Sequence, residues 1–537
     1  MSLGSNIETW SSAREHTITL EESSFIAALQ MTDRNIGKEQ RRAQGVLPRR
    51  SFMERVANRL RIEFRKSYRY FILRPIEFLK AQWFRRLGKF LGNSRWQPRG
   101  SNPSKVEIIH LNNANLRKRL ETTDSEFWVL TRDHAKLFPQ GVRAIRRVLS
   151  HSSAIMWFGD SRNRLGRIER RSEFNRLLLR QVDALGPVVV IRTNVLRRIP
   201  QAIPPHLWPL YVGLNSLENE IELIPEILAL GDVTVSNLHG SEKTAASIVR
   251  SELQRSHIQA TVTEVSNSRR MVAYDFGQIP YISIIIPTRG TANDSGRAFV
   301  VDAVDSIIQK SSYANFEVII VADDDTPQSV INTIDAFNSS SVKWVRWSKP
   351  FNFSEKMNLG AACASGEYLL FLNDDTEVVS PHWMEDMLSL IGVDRIGYAG
   401  ALLFFDDQTI QHAGHVYKGG AGHIGFGEKM RLKDPNQLTH LDRKVSGVTA
   451  ACSLVSKSLF ERVGGFSVEF PGSYNDVDLS MKLALIGVDI AVAGSARLYH
   501  FESKSRDATV KKSEILLLQA RWRNKIQHDR HYRGLEN

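Results

Sequence analysis

From residue 281 onward, short apolar runs alternate with stretches of helical spacing. YISIIIPT (281–288) is β-branched and ends at proline, FEVIIVAD (316–323) is a second apolar run, and VKWVRW (342–347) and EYLLFLND (367–374) are a third and a fourth. Between them, AFVVDAVDSIIQKS and SVINTIDAF carry apolar residues at helical spacing, and SEKMNLGAACAS predicts a helix with small residues on one face. Strands alternating with helices predict a parallel α/β sheet. In such sheets the ligand lies beyond the carboxyl ends of the strands. Asp323, Asp374 and Asp375 all fall at such ends.

Alternating elements begin earlier, near residue 105, after the polar break GNSRWQPRGSNPSK. EFWVLTRDHAKLFP (126–139) can be laid on EYLLFLNDDTEVVSP (367–381) with one gap. Glu126 then meets Glu367, Asp133 meets Asp374 and Pro139 meets Pro381, while His134 stands at the place of Asp375. The echo predicts that residues 105–272 are a worn, shortened relative of the second half; chance similarity over a short window is the alternative. Residues 51–95 show i, i+4 spacing at Val56, Leu60 and Phe64 and again at Trp83, Leu87 and Leu91, with a break or kink at Pro75.

A chain of 537 residues has room for several domains, and 42% hydrophobic content is ordinary for a globular protein. Charge changes the picture more. The net charge is +13, yet residues 41–100 hold 17 Lys and Arg against only Glu54, Glu63 and Glu77, so the rest of the chain sums to −1. Arginines interleaved there with Phe, Tyr and Trp match an interfacial amphipathic helix facing anionic lipid. A solvated helix pair docked on its own protein gives the same pattern. No binding motif accompanies the charge, so nucleic acid is not an expected partner. Cys363 and Cys452 lie in apolar or small-residue segments and are expected as packed core thiols, which suits a reducing compartment. The N-terminal MSLGSNIETWSSAREH has no apolar signal core, and no stretch reaches the roughly 18 apolar residues of a membrane span.

Paired carboxylates after a strand suit a hard divalent cation, because Mg²⁺ and Mn²⁺ prefer oxygen ligands shared with substrate phosphates. Asp323 is placed to accept hydrogen bonds from a base or ribose. In YNDVDLSMKLALIG (474–487), Asp476 and Asp478 open a helix. Helix capping explains acids in a first turn, and an acid there beside a metal site also serves as a general base. In LYHFESKSR (498–506), His500 is either a metal ligand or a structural imidazole, and Lys504 and Arg506 suit phosphate oxygens. GGAGHIGFG (419–427) contains G-x-G-x-x-G, but EKMRLKDPNQ follows instead of a helix, so a mobile loop over the active site is expected in place of a dinucleotide turn. No Walker motif, serine elbow or zinc cluster is apparent.

Taken together, SIIIPTRG, NFEVIIVADDD, PFNFSEKMNLGAACASGEYLLFLNDDTEVVSPHWMEDM, TIQHAG, VTAACSLV, ERVGGF, NDVDLSMKL and YHFESKSR resemble family 2 glycosyltransferases with the GT-A fold. Their order resembles the rhamnosyltransferase-like branch that builds bacterial surface polysaccharides. The resemblance implies an α/β GT-A nucleotide-diphospho-sugar transferase domain at 273–510. Before it come a polar segment at 1–40, a basic helical segment at 41–104 and a degenerate GT-A-like module at 105–272; a C-terminal helix and tail follow at 511–537. Carried over by position, Asp323 contacts uracil or thymine, Thr288 sits near the nucleoside, and Asp374 belongs to the D-x-D region. Asp375 is the direct metal ligand, His500 the late metal ligand and Asp476 the general base, with Mn²⁺ or Mg²⁺ as cofactor. Trp383 and His415 line the acceptor side, a packed Trp being the alternative. The implied activity is inverting transfer of a hexosyl or deoxyhexosyl group from a UDP- or dTDP-sugar to a saccharide or lipid-linked saccharide acceptor. The implied place is the cytoplasm, peripheral on the inner face of the cytoplasmic membrane. Two departures stand out: Ala322 replaces an acid often found before the nucleotide aspartate, and the first module lacks an obvious SIIIPT strand and the second D-x-D acid, so it is expected to be inactive. The alternative is a catalytically silent nucleotide-sugar-binding or scaffold protein of a glycan assembly complex.

Overall fold

The computed structural model describes residues 106–533, apart from 112–115, 133–134, 199–219, 232–241, 267–268, 294, 338–339, 432–437 and 502–509. The segments predicted over 1–40 and 41–104 lie outside the described residues, as do Asp133, His134, Lys504 and Arg506. What is described belongs to one compact unit, Gly100–Asn537.

Two sheets organise this unit. The first contains β1 (Val106–His110), β2 (Phe127–Thr131), β3 (Lys136–Leu137), β4 (Met156–Arg162), β5 (Ile168–Glu169), β6 (Val188–Arg192) and β7 (Ile221–Leu230), in the order β1-β2-β6-β4-β7-β3, with β5 on β4. A separate hairpin, β8 (Ala260–Ser266) and β9 (Arg269–Tyr274), follows. The second sheet begins with β10 (Ile282–Thr288), β11 (Phe316–Asp323), β12 (Val342–Trp347), β13 (Tyr368–Leu372), β14 (Thr376–Val378), β15 (Ile396–Phe404) and β16 (Ile410–His412). After a small hairpin of β17 (His415–Tyr417) and β18 (Ala421–His423), it closes with β19 (Arg443–Val445), β20 (Cys452–Ser456) and β21 (Asp489–His500). Its order is β12-β11-β10-β13-β20-β15-β21-β14, with β16 on β15 and β19 on β21.

The four strands expected from the apolar runs form a parallel half-sheet, β12-β11-β10-β13. β10 is buried at every position, as a strand covered on both faces must be. The small-residue helix spans Phe353–Cys363 and is capped by Asn352, whose side chain accepts from the Glu355 amide. Gly360 explains the small face: a Cβ there would lie 2.4 Å from Ile285 Cγ2 and 3.1 Å from Val321 Cγ2, so the helix backbone rests directly on β10 and β11.

The two sheets share a plan. In the first, β1 runs parallel to β2, β2 and β4 flank β6 antiparallel, β4 runs parallel to β7, and β3 closes antiparallel on β7. In the second, β10, β13, β20, β15, β21 and β14 repeat those relations. Even the side strands correspond, β5 on β4 and β16 on β15. The sequence echo falls on β2–β3 and β13–β14. β1 (VEIIH) occupies the place of the SIIIPT strand that the sequence did not reveal, since its alternation leaves Ile108 41% exposed. The differences are β11 and β12 at one edge and β19 on β21, none of which has a counterpart in the first sheet among the described residues.

Buried polar groups lock the modules together. Arg180 donates to both carboxylate oxygens of Glu252, at 2.9 and 3.0 Å, and to Asp394 at 2.9 Å. Gln181 exchanges hydrogen bonds with the Asp442 backbone, and Arg533 near the C-terminus reaches back to Asp160 at 2.8 Å. Removing one member of such a buried set strands the other charge, at a cost of roughly 3–5 kcal/mol.

Two expectations need correction. Cys452 is a packed thiol, but Cys363 is exposed, because it ends its helix beyond the face set by Met357, Gly360 and Ala361. The glycine-rich stretch 419–427 is not all loop: Ala421–His423 pairs antiparallel with His415–Tyr417, and Ala421 and His423 line the cavity described below.

Candidate active site

The carboxyl ends of β10 and β13 open on a cavity of about 330 Å³; Asp323, at the end of β11, adjoins it through Lys356 without lining it. Thr288, Lys356, Asp374, Asp375, His415, Asp476 and His500 line it, so most of the residues singled out from sequence converge there.

On the β10–β11 side, Thr288 Oγ1 donates to Asp374 Oδ2 at 2.7 Å and accepts from the Gly290 amide at 2.9 Å. Asp323 accepts from Lys356 Nζ at 2.9 Å, and the same ammonium donates to the Thr288 carbonyl at 3.1 Å. Arg289 Nε lies 3.6 Å from the other Asp323 oxygen. Lys356 is fully buried; burial pulls its pKa down against the opposing pull of Asp323. Sequence reasoning missed it. The available signal was a lysine inside the packed helix SEKMNLGAAC, where only a paired charge is tolerated.

The Asp374–Asp375 pair is enclosed. Burial, and then the neighbouring Asp375, push the Asp374 carboxyl above the usual carboxylate range. β14 pairs with β21 so that Thr376 stands opposite His500, which delivers the imidazole to the same strand end. His500 Nε2 lies 3.1 Å from Asp375 Oδ1. His500 Nδ1 lies 2.9 Å from Gln411 Oε1, and Asn373 Nδ2 approaches Nε2 at 3.1 Å. With the Gln411 oxygen accepting at Nδ1 and the Asn373 side-chain amide donating to Nε2, the ring proton sits on Nδ1 and the Nε2 lone pair stands beside Asp375 Oδ1. A carboxylate oxygen and an imidazole lone pair side by side, with a second carboxylate adjacent, fit a divalent cation such as Mn²⁺ or Mg²⁺. The first sheet differs here. Lys136 pairs with Leu230 as Glu377 pairs with Tyr499, which puts Gly231 at the place of His500.

Across the same cavity lining, Tyr474 takes a left-handed backbone (φ 62°) and turns the chain into the helix Asn475–Leu485. Its two first-turn acids part company. Asp478 is fully buried and accepts from Arg521 at 2.9 Å and Trp522 Nε1 at 2.8 Å, so it clamps the C-terminal helix Lys512–Trp522. Asp476 faces the cavity. Its Oδ1 accepts from the Val477 amide at 2.8 Å, and its Oδ2 accepts from the Ala450 amide at 3.4 Å and lies 3.7 Å from His415 Nε2.

Trp383 is not brought to the site. It is fully buried, its Nε1 donating to Ser311 at 2.9 Å, because its helix Trp383–Leu390 packs that face into the core. His415 does line the cavity, with His423 beside it. With His412 these imidazoles each place a ring nitrogen within 4.8 Å of the others, a grouping that QHAGHVYKGGAGH conceals because β16, β17 and β18 assemble it only by folding back.

Residues 283–464 match the family described as Glycosyl transferase family 2. The O-antigen biosynthesis protein RfbC of Myxococcus xanthus is 29% identical over 62% of this chain and 27% of its own length. An uncharacterized protein, y4gI, of Sinorhizobium fredii is 33% identical over 45% of this chain and 28% of its own. The chain thus spans little more than a quarter of either relative. Among solved structures, GalNAc-T7 with UDP, GalNAc and Mn²⁺ is similar at 14% identity and a TM-score of 0.38, covering 49% of this chain and 52% of that one. The mannosyltransferase PcManGT of Pyrobaculum calidifontis, in complex with GDP-Man and Mn²⁺, is similar at 15% identity and a TM-score of 0.32, covering 42% and 59%.

Proposed function

We propose, starting from the match of residues 283–464 to Glycosyl transferase family 2, that this chain is a GT-A enzyme that moves a hexosyl or deoxyhexosyl group, with inversion, from a UDP- or dTDP-sugar to a saccharide acceptor. The observation that carries the reading is that one cavity is lined by Asp375 and His500, suited to a cation, and by Asp476, suited to a proton. Thr288 and the Asp323–Lys356 pair hold the nucleoside end. A divalent cation held by Asp375 and His500 supplies positive charge to the diphosphate leaving group when bound. Asp476 takes the proton of the acceptor hydroxyl as its oxygen bonds to the anomeric carbon and the bond from that carbon to the diphosphate breaks. No covalent intermediate is needed. The Myxococcus relative is named for O-antigen biosynthesis, and assembly of a bacterial surface glycan is the setting we assign. The first module serves as a platform without turnover, a reading supported by Gly231 at the histidine position and by the lack of counterparts to β11 and β12 among the described residues.

The test is a panel of UDP- and dTDP-sugars incubated with the full chain and Mn²⁺ or Mg²⁺, with release of UDP or dTDP measured. Turnover of at least one donor, abolished by chelator, is expected. Nucleotide binding without turnover across the panel favours a silent scaffold instead, and turnover untouched by chelator removes the metal from the reading.

The basic segment suggests where the acceptor is met. Among the described residues no helix is long and apolar enough to cross a membrane. Residues 41–100 carry 17 Lys and Arg interleaved with aromatics. Each such cation near an anionic surface contributes about 1 kcal/mol. We assign this segment to the inner membrane surface, where a lipid-linked saccharide acceptor resides. The full chain should co-sediment with anionic vesicles at low salt and less at high salt. A chain lacking residues 1–100 should stay in the supernatant yet keep donor hydrolysis. Equal pelleting of both overturns the assignment.

A further inference from the structure

The histidine group beside the cavity has the composition of a zinc site, but its hydrogen bonds give it a different role. The Thr449 amide, which only donates, points at His412 Nε2 at 3.1 Å. The His412 ring is fully buried, and burial, then His423, hold its pKa well below the usual histidine value, so it is neutral with its proton on Nδ1. That proton is directed at His423 Nδ1, 2.8 Å away. A metal on His412 Nδ1 would displace that proton to Nε2, where it would face the Thr449 amide donor, and break both hydrogen bonds. Both nitrogens of His412 are thereby committed to hydrogen bonds.

His415 is the member that reaches the reaction. It is 2% exposed, and burial lowers its pKa to about 4, so it too is neutral. Its Nδ1 is buried without a hydrogen-bond partner among the described residues. A buried N–H without an acceptor is costlier than a buried lone pair without a donor. The proton therefore sits on Nε2, which lies 3.7 Å from Asp476 Oδ2. That separation is slightly longer than a hydrogen bond, as catalytic contacts often are before substrate draws them together. The seat is shaped for the ring: the His415 amide donates to the Gly447 carbonyl at 2.7 Å, and a Cβ on Gly447 would lie 2.8 Å from His415 Nδ1.

We propose that His415 is a positioning residue for the general base: its Nε2–H holds Asp476 Oδ2 so that the carboxylate presents its remaining lone pairs to the acceptor hydroxyl. This rests on the glycosyltransferase reading, so the test has an arm that needs no turnover. In the full chain with ¹⁵N-labelled histidine, His415 should show an Nε2–H resonance, assigned by its loss in His415→Phe, that shifts in Asp476→Asn. An Nδ1–H tautomer, or no shift, overturns the proposal whether or not a donor is found. With a donor from the panel and water as acceptor, His415→Phe should lower kcat by roughly 10-fold with donor KM nearly unchanged. His415→Gln, whose amide N–H can stand near the Nε2 position, should recover to within about 3-fold. His415→Phe placed on Asp476→Asn should cost nothing further, because residues acting through one group are not additive. Additive losses, or a glutamine no better than phenylalanine, refute it. So does tetrahedral Co²⁺ absorption that disappears in His412→Phe and His415→Phe, which would make the trio a metal site.

Discussion

Replacing Asp476 with asparagine should lower sugar transfer by roughly 10²-fold or more while leaving metal-dependent nucleotide binding within about 2-fold. The substitution keeps the shape and an oxygen able to accept from the Val477 amide, which bonds Oδ1 at 2.8 Å. What it removes is the capacity to take a proton. The second acid of the same helix turn is the internal control. Asp478 is fully buried between Arg521 and Trp522, so Asp478→Asn should appear as a lower melting temperature, with residual activity tracking the folded fraction. Steady-state kinetics beside thermal melts of the two variants separates the roles. Near-normal turnover in Asp476→Asn removes it as the base.

Asp375→Ala should weaken divalent-cation-dependent binding of UDP or dTDP by roughly 10²-fold or more, with activity falling in parallel. Asp375 Oδ1 stands 3.1 Å from His500 Nε2, the nitrogen that keeps its lone pair because the ring proton is spent on Gln411. Titration of Mn²⁺ into the nucleotide-free chain, followed by the loss of its free electron-spin signal, reads the same site without any sugar. His500→Ala should act in the same direction. Unchanged Mn²⁺ affinity in both variants shows that the paired carboxylates are held by the protein's own hydrogen bonds and not by a cation.

Residues of this site also show how far the chain can be read before it is folded. Asp375 is legible because EYLLFL, an apolar run, stops at two adjacent carboxylates, and adjacency along the chain guarantees adjacency in space. Lys356 is not legible as a site residue. It lies between β11 and β13 in sequence, and only helix packing carries its ammonium to Asp323 and to the Thr288 carbonyl. Trp383 follows Asp375 closely along the chain but does not share its space, since helical periodicity turns the indole into the core.

Local pattern thus determined the parallel strands β10 to β13, the helices between them and the acids at their ends, because burial on both faces demands continuous apolar runs and strand ends are where such runs must stop. The echo of β2–β3 in β13–β14 was equally local. Tertiary structure alone decided the rest. It decided that the first sheet repeats the plan of the second except for β11, β12 and β19, since strand order depends on pairings between distant segments. It separated Asp476 from Asp478, which a helix N-terminus accommodates equally well in sequence. It gathered His412, His415 and His423 from three strands, two of them in a hairpin that composition alone presents as a glycine-rich loop. Contacts between residues far apart in sequence follow from register and packing, and a one-dimensional pattern of apolar and polar positions does not encode them.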